Sequence, residues 1–151
     1  MDSVSVTGFY QAKASLVATI GGSKTTVFSG FGTSTVFTGS YSSIYDQVPD
    51  LTRFQGTYTG AAGSIKTADT VTLTISGNSI SGQGVSGCTF AGNFSAHNGK
   101  NVWDTAVTFG GAPCLYPNQR VSGIMVVNGN SILAALLLTD QSDAFVMAVS
   151  K

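Results

Sequence analysis

Ile75-Ser76-Gly77-Asn78-Ser79-Ile80 and Val127-Asn128-Gly129-Asn130-Ser131-Ile132 are nearly the same turn, a glycine and an asparagine set between apolar positions. Such turns need a positive φ, which Gly and Asn supply at little steric cost, and they lay the flanking strands antiparallel. The second copy admits two registers, with Asn128-Gly129 or Gly129-Asn130 at its tip. Upstream of the first turn, Val71, Leu73 and Ile75 alternate with Thr70, Thr72, Thr74 and Ser76. That period of two marks a strand with one buried and one wetted face. The fold class read from these stretches is all-β, built by local pairing.

Working outward, eight strands are expected at 53–59, 70–76, 79–85, 88–95, 102–109, 121–128, 131–138 and 143–150. Sequential antiparallel strands of this length predict an up-and-down eight-stranded barrel over residues 51–151, because closure removes the exposed edges. Residues 1–45 read as an N-terminal group of β-hairpins, with strands over 4–10, 14–20, 25–31 and 35–41 and a turn at Gly21-Gly22-Ser23. Pro49 and Asp50 punctuate the connector between the two parts. No segment carries a helical period.

A pattern of apolar-x-Gly-x-aromatic recurs as Val6-Thr7-Gly8-Phe9-Tyr10, Phe37-Thr38-Gly39-Ser40-Tyr41, Phe54-Gln55-Gly56-Thr57-Tyr58 and Phe90-Ala91-Gly92-Asn93-Phe94. The period puts the marked residues on one face, with a glycine where the sheet must bend. We read the rings as core covering that bend rather than as a stacking platform for a ligand. The segments 124–127 and 132–138 are apolar on both faces. One face fills the barrel, and the other needs a cover. The expected cover is the N-terminal strand group, whose Val17, Ile20, Val27, Phe28, Phe31, Val36 and Phe37 lack a core of their own. The competing reading is a protein partner or a homo-oligomer docked on strands 121–138.

Hydrophobic residues make up 42% of the chain, which is ordinary, whereas charged residues make up only 9% against the usual quarter. All seven acids are Asp, and the formal net charge is zero, so no electrostatic footprint for nucleic acid exists. Surfaces covered by Ser, Thr, Gly and Asn in place of Lys and Glu are typical of exported proteins. The two cysteines agree with export. Strands 88–95 and 102–109 flank the turn His97-Asn98-Gly99-Lys100. A regular four-residue loop there would set Phe90 against Val107, Phe94 against Trp103, and Cys88 against Phe109. The Gly110-Gly111-Ala112-Pro113 bend then returns Cys114 toward Cys88. A Cys88–Cys114 disulfide closing about 27 residues would contribute roughly 3.5 kcal/mol in the chain-entropy model. Met1-Asp2-Ser3 lacks the basic start and apolar core of a signal peptide, so the export reading expects a removed leader. The longest apolar run, 132–138, is strand-sized and too short for a membrane-spanning helix.

Chemistry is sparse. His97, the single histidine, falls in a polar turn and reads as a solvated turn residue. No Gly-x-Ser-x-Gly elbow marks a nucleophile, and phosphate loops and zinc spacings are absent. General acid or base work would fall on Asp104, Asp140 or Asp143. Asp140-Gln141-Ser142-Asp143 reads better as a hairpin turn, and its two carboxylates lack a calcium-loop pattern. The reading assigns no catalytic, cofactor or metal site and no enzyme activity.

The stretches Phe54-Gln55-Gly56-Thr57-Tyr58-Thr59-Gly60, Ser86-Gly87-Cys88-Thr89-Phe90-Ala91-Gly92, Val107-Thr108-Phe109-Gly110-Gly111-Ala112-Pro113-Cys114 and Asp143-Ala144-Phe145-Val146 resemble small β-rich lipoproteins of Gram-negative bacteria. The likeness spans residues 53–151. It implies export to the periplasm or outer membrane, anchoring through a lipidated cysteine upstream, and the Cys88–Cys114 pair. It implies no activity. More distantly the barrel is similar to calycins, although their Gly-x-Trp signature is missing and Val102 precedes Trp103. The expected function is therefore a non-catalytic extracytoplasmic module, structural or interacting. The alternative is a binder of a small apolar ligand in the barrel mouth. The two differ in one observable, since the binder needs an apolar cavity that opens at the mouth.

Overall fold

The computed structural model describes the backbone of residues 24–30 and 33–39 and the whole of residues 43–151. The chain separates into two compact units, Met1–Ser43 and Ile44–Lys151. In the first, β1 (Lys24–Gly30) pairs antiparallel with β2 (Thr33–Gly39), and Val27 stands opposite Val36. The strands expected at 4–10 and 14–20, and the packing of the N-terminal group on the barrel, lie outside the described residues.

The second unit is a closed antiparallel barrel of eight strands. They are β3 (Gly56–Gly63), β4 (Ala68–Ser76), β5 (Ser79–Gly84), β6 (Thr89–Ala96), β7 (Val102–Phe109), β8 (Arg120–Asn128), β9 (Ser131–Leu138) and β10 (Ala144–Ser150). Each strand pairs with its neighbour in sequence, and β10 closes on β3 with Val149 opposite Gly60. The alternation of β4 is realised, with Val71, Leu73 and Ile75 buried and the threonines between them exposed or half-exposed. Both glycine-asparagine turns set the glycine first. Ser76 faces Ser79 and Asn128 faces Ser131, with φ of 58° at Gly77 and 59° at Gly129. The second turn thereby takes the Gly129-Asn130 register.

Three expectations are corrected. The hairpin of β6 and β7 is shifted by two residues from the expected register. Phe90 faces Phe109, Phe94 faces Thr105, and Trp103 faces Ala96. The cause is the loop, in which the His97 N–H bonds to the Val102 carbonyl and the turn occupies 98–101, with positive φ at Asn98 and Gly99. A shift of two preserves which side chains face inward, so Phe94 and Trp103 still meet, diagonally, with ring centroids 5.4 Å apart. Cys88 lies just outside β6 rather than opposite Phe109.

The second correction concerns the first barrel strand, expected at 53–59. Leu51–Phe54 is a short 3-10 turn, and β3 begins only at Gly56, whose φ of 117° redirects the chain. Asp50 caps the turn by accepting from the Thr52 N–H at 3.0 Å. The third correction follows from the second: Phe54 is not on the face of a strand with Tyr58. It enters the barrel from its end, 4.9 Å from Trp103 and 5.6 Å from Phe94 between centroids. The Tyr58 hydroxyl donates to the Phe54 carbonyl at 2.8 Å. At Gly92 a Cβ would run into the Ala106 carbonyl of the next strand, so the glycine there permits the close approach of β7.

The two ends of the barrel differ. Near the tight turns at 77–78, 98–101 and 129–130 the interior is packed solid by Phe54, Tyr58, Leu73, Ile75, Trp103 and Met125. At the opposite end the loops 64–67, 85–88, 110–119 and 139–143 join the strands. The rings nearest them, Phe90, Phe109, Tyr116 and Phe145, are only partly buried.

Candidate functional site at the barrel mouth

The mouth is held by residues from four loops. Cys88 and Cys114 are bonded, which ties 110–119 to the connection between β5 and β6. Lys66 donates to the Tyr116 hydroxyl at 2.6 Å, and that hydroxyl donates to Asp143 Oδ2 at 2.9 Å. This chain clasps the loops 64–67, 110–119 and 139–143 together. Because one hydroxyl both accepts and donates, each bond polarises the other. The Lys66 ammonium also stands 5.1 Å from the centroid of the Tyr116 ring. The Tyr116 ring packs edge-on against Phe145 at 5.6 Å, and Phe145 lies 4.8 Å from Phe109.

The carboxylates of this end are fixed by different means. Asp143, expected in a solvated turn, is buried. Burial pushes its carboxyl up, but hydrogen bonds from Tyr116, Ser64 and the Ala144 N–H, with the field of Lys66, outweigh that and hold it below its ordinary value. The Tyr116 hydroxyl, ahead of the carboxylates, raises the pKa of Lys66. Asp140 folds onto its own turn, accepting from the Ser142 N–H and hydroxyl at 3.0 and 2.7 Å. Asp140 and Asp143 thus serve different partners. Among the described residues no three His, Cys, Asp or Glu side chains converge as a metal site.

Asp69 belongs to the mouth and was not singled out in the sequence. It lies two residues before Val71, on the inward parity of β4, and so heads the row that Val71, Leu73 and Ile75 continue. Its carboxylate accepts from the Ser86 hydroxyl at 2.6 Å and the Ser86 N–H at 3.2 Å. The hydroxyl bond above all, joined by backbone N–H groups of Ser86, Thr70 and Val85, keeps the acid below its ordinary value of 3.8 despite partial desolvation. It occupies the space that a side chain at Gly84 would take. An Asp at an apolar-parity position is the sequence signal that could have found it.

Between these groups is a cavity of about 240 Å³ that opens at the mouth, lined chiefly by Val71, Phe90, Phe109, Tyr116, Phe145 and Asp69. Beneath it a void of about 50 Å³ continues inward, past Phe90, Phe109 and Phe145 to Val107, Val121 and Leu136. The barrel is therefore filled at one end and hollow at the other. A wider depression of about 1080 Å³ lies on the outer wall of β5 to β8, walled by Ser81, Asn93, Ser95 and Asp104. It is a shallow curve of exposed sheet and encloses nothing.

His97 and Asp104 lie far along the strands from this mouth. Nδ1 of His97 is 3.0 Å from Asp104 Oδ1 and Oδ2, with both side chains exposed. The other ring nitrogen is 3.3 Å from Asn98 Nδ2. Among the described residues no serine hydroxyl is hydrogen-bonded to it, so the pair does not extend to a nucleophile. Fold and mouth together define a small up-and-down barrel with a clasped, partly hollow end. No protein-family model matches the chain, and no curated protein or solved structure is significantly similar to it.

Proposed function

We propose that this chain works by binding, as a non-catalytic extracytoplasmic barrel module that takes a small, largely apolar molecule at its mouth. The observation that carries the reading is the cavity of about 240 Å³ under Tyr116 and Phe145. A barrel of this strand number can fill itself with its own side chains, as this one does around Trp103. The apolar hollow lies at the end where loops converge, where ligand sites of β-barrels lie, whereas the recess of about 330 Å³ at the other end, over Phe54, is lined largely by polar loop residues. Export is supported by the Cys88–Cys114 bond, which persists in oxidising compartments, and by a charged fraction of 9%. A lipid anchor of the kind found in Gram-negative lipoproteins fits this reading and is part of the proposal.

The test is a thermal-shift titration of the protein with indole. A ligand that binds only the folded state must raise Tm in proportion to its occupancy. The expected result is a saturating rise that disappears in Ala62→Leu, which extends a side chain from β3 into the cavity that Ala62 helps line. No shift in the parent protein would remove the reading. A second reading has its own observation: Ile124, Leu133 and Leu137 stand 49%, 45% and 47% exposed on one side of the barrel. That surface fits a docking face for a protein partner or another copy of the chain.

A further inference from the structure

Among the described residues lining the mouth cavity, Asp69 alone carries a charge. We propose that the mouth binds a small organic cation of the alkylammonium class. Asp69 acts as its counter-ion, and the rings of Phe90, Phe109, Tyr116 and Phe145 form its walls. The inference rests on the mouth-binding reading above and narrows it to one ligand chemistry.

The argument begins with the position. The inward face of β4 carries Val71, Leu73 and Ile75, all buried. An aliphatic residue at 69 would extend that row without placing a charge at the edge of an apolar interior, which is costly unless the charge is compensated. The bonds from Ser86 fix where the carboxylate sits and favour its ionised form, but a hydrogen bond does not supply a counter-charge. Those donors are all uncharged. The two described ion pairs of the barrel are His97 with Asp104 and Lys100 with Asp46, and neither involves Asp69. The cation of the adjoining loop, Lys66, is committed to Tyr116 and, through it, to Asp143. The hydrogen bonds favour the ionised form of Asp69, and no cation among the described residues pairs with it.

The walls supply the rest. Aromatic faces attract ammonium groups within about 6 Å of the ring centroid, more strongly where water is excluded. Partly buried rings around an ionised carboxylate complement a cation whose charge is spread over methyl groups. A strongly hydrated metal ion or a primary ammonium with three unmet donors suits such walls less well. The volume of about 240 Å³ corresponds to about eight water molecules, which suits a choline-sized group and falls below the range of drug-sized ligands.

The experiment compares choline with 3,3-dimethylbutan-1-ol, its neutral isostere in which carbon replaces nitrogen. Both are titrated calorimetrically into the full chain and into Asp69→Asn. The expected result is that choline binds at least tenfold more tightly than the isostere, and that the preference falls below threefold in Asp69→Asn. Binding of the isostere as tightly as choline would overturn the cation inference while leaving the mouth-binding reading in place. Binding of neither ligand would overturn both. If Asp69→Asn fails to fold, the ratio of the two affinities in the parent protein still decides. A preference that survives intact in a folded Asp69→Asn would remove Asp69 from the role of counter-ion.

Discussion

Trp103 is hidden at 2% exposure, wedged between Phe54 and Phe94, and its buried indole nitrogen has no hydrogen-bond partner among the described residues. Two effects of opposite sign therefore meet in one side chain. Its ring fills the closed end of the barrel, and truncation of such a residue to alanine costs about 3–5 kcal/mol through lost transfer energy and the remaining cavity. A buried donor with no partner among the described residues detracts from that gain by about 1–3 kcal/mol. Trp103→Phe keeps most of the ring and removes the unpaired donor. Urea unfolding is accordingly expected to place Trp103→Ala about 3–5 kcal/mol below the parent and Trp103→Phe within about 1.5 kcal/mol of it. The parent should emit at blue-shifted wavelengths. Equal losses for the two variants would mean that a phenyl ring recovers none of the packing at this site and that removing the N–H brings no gain. The burial of Trp103 was legible in the sequence because its parity with Thr105 and Val107 on β7 survives any even shift of register. Asp69 was open to the same parity argument, with Val71, Leu73 and Ile75 as its guide. Its meaning was not, because only the fold brings the rings of β6, β7 and β10 around it.

Among the elements, the hairpin of β6 and β7 shows where local reading stops. Its strands and faces follow from periodicity, but its register depends on which residues form the loop. His97 remains paired to Val102 through its N–H, so the turn falls one residue later than its composition indicates. Phe54 escaped for a related reason. The apolar-x-Gly-x-aromatic pattern is shared by a strand and by a plug that turns at Gly56, and only the positive φ there separates them. The disulfide survived the register error because it joins loops, whose reach absorbs a shift of two residues. Cys88 and Cys114 sit with Cα atoms 4.5 Å apart at a sequence separation of 26. Thiol titration of unfolded, unreduced protein should find no free thiol. Replacing both cysteines by serine should cost roughly 3.5 kcal/mol on the chain-entropy account. The loss should appear as faster amide exchange in 110–119 and 85–88, with the packed end around Trp103 retaining its protection relative to global unfolding. Two reactive thiols in the unreduced protein would remove both the bond and the main support for export.

At the scale of the barrel, packing and surface character vary along its axis and around its wall. The packed end holds the large buried rings, while the mouth gives up packing density for a cavity and recovers rigidity from the Lys66–Tyr116–Asp143 chain and the disulfide. Around the wall, β3 to β7 present threonine, serine and asparagine, whereas β8, β9 and β10 turn Ile124, Val126, Leu133, Ala135, Leu137 and Val146 outward. The register brings these into contact laterally: Ala135 faces Ile124 on one side and Val146 on the other, and Leu133 faces Val126. This contiguous apolar surface is where the docking face of the second reading would lie. The barrel unit, residues 44–151, has every strand paired and can be made alone. It is expected to bind a hydrophobic dye and to sediment as a concentration-dependent oligomer. Leu133→Ser with Leu137→Ser should restore a dye-silent monomer, at a stability cost near the roughly 0.5 kcal/mol typical of each surface substitution. A loss of several kcal/mol would mean that these side chains pack inward and that the assigned faces of β9 are exchanged. A barrel unit that is already monomeric and dye-silent would show that three half-exposed aliphatic side chains are too dispersed among alanines to act as a docking face. The mouth would then be left as the sole candidate for the binding role.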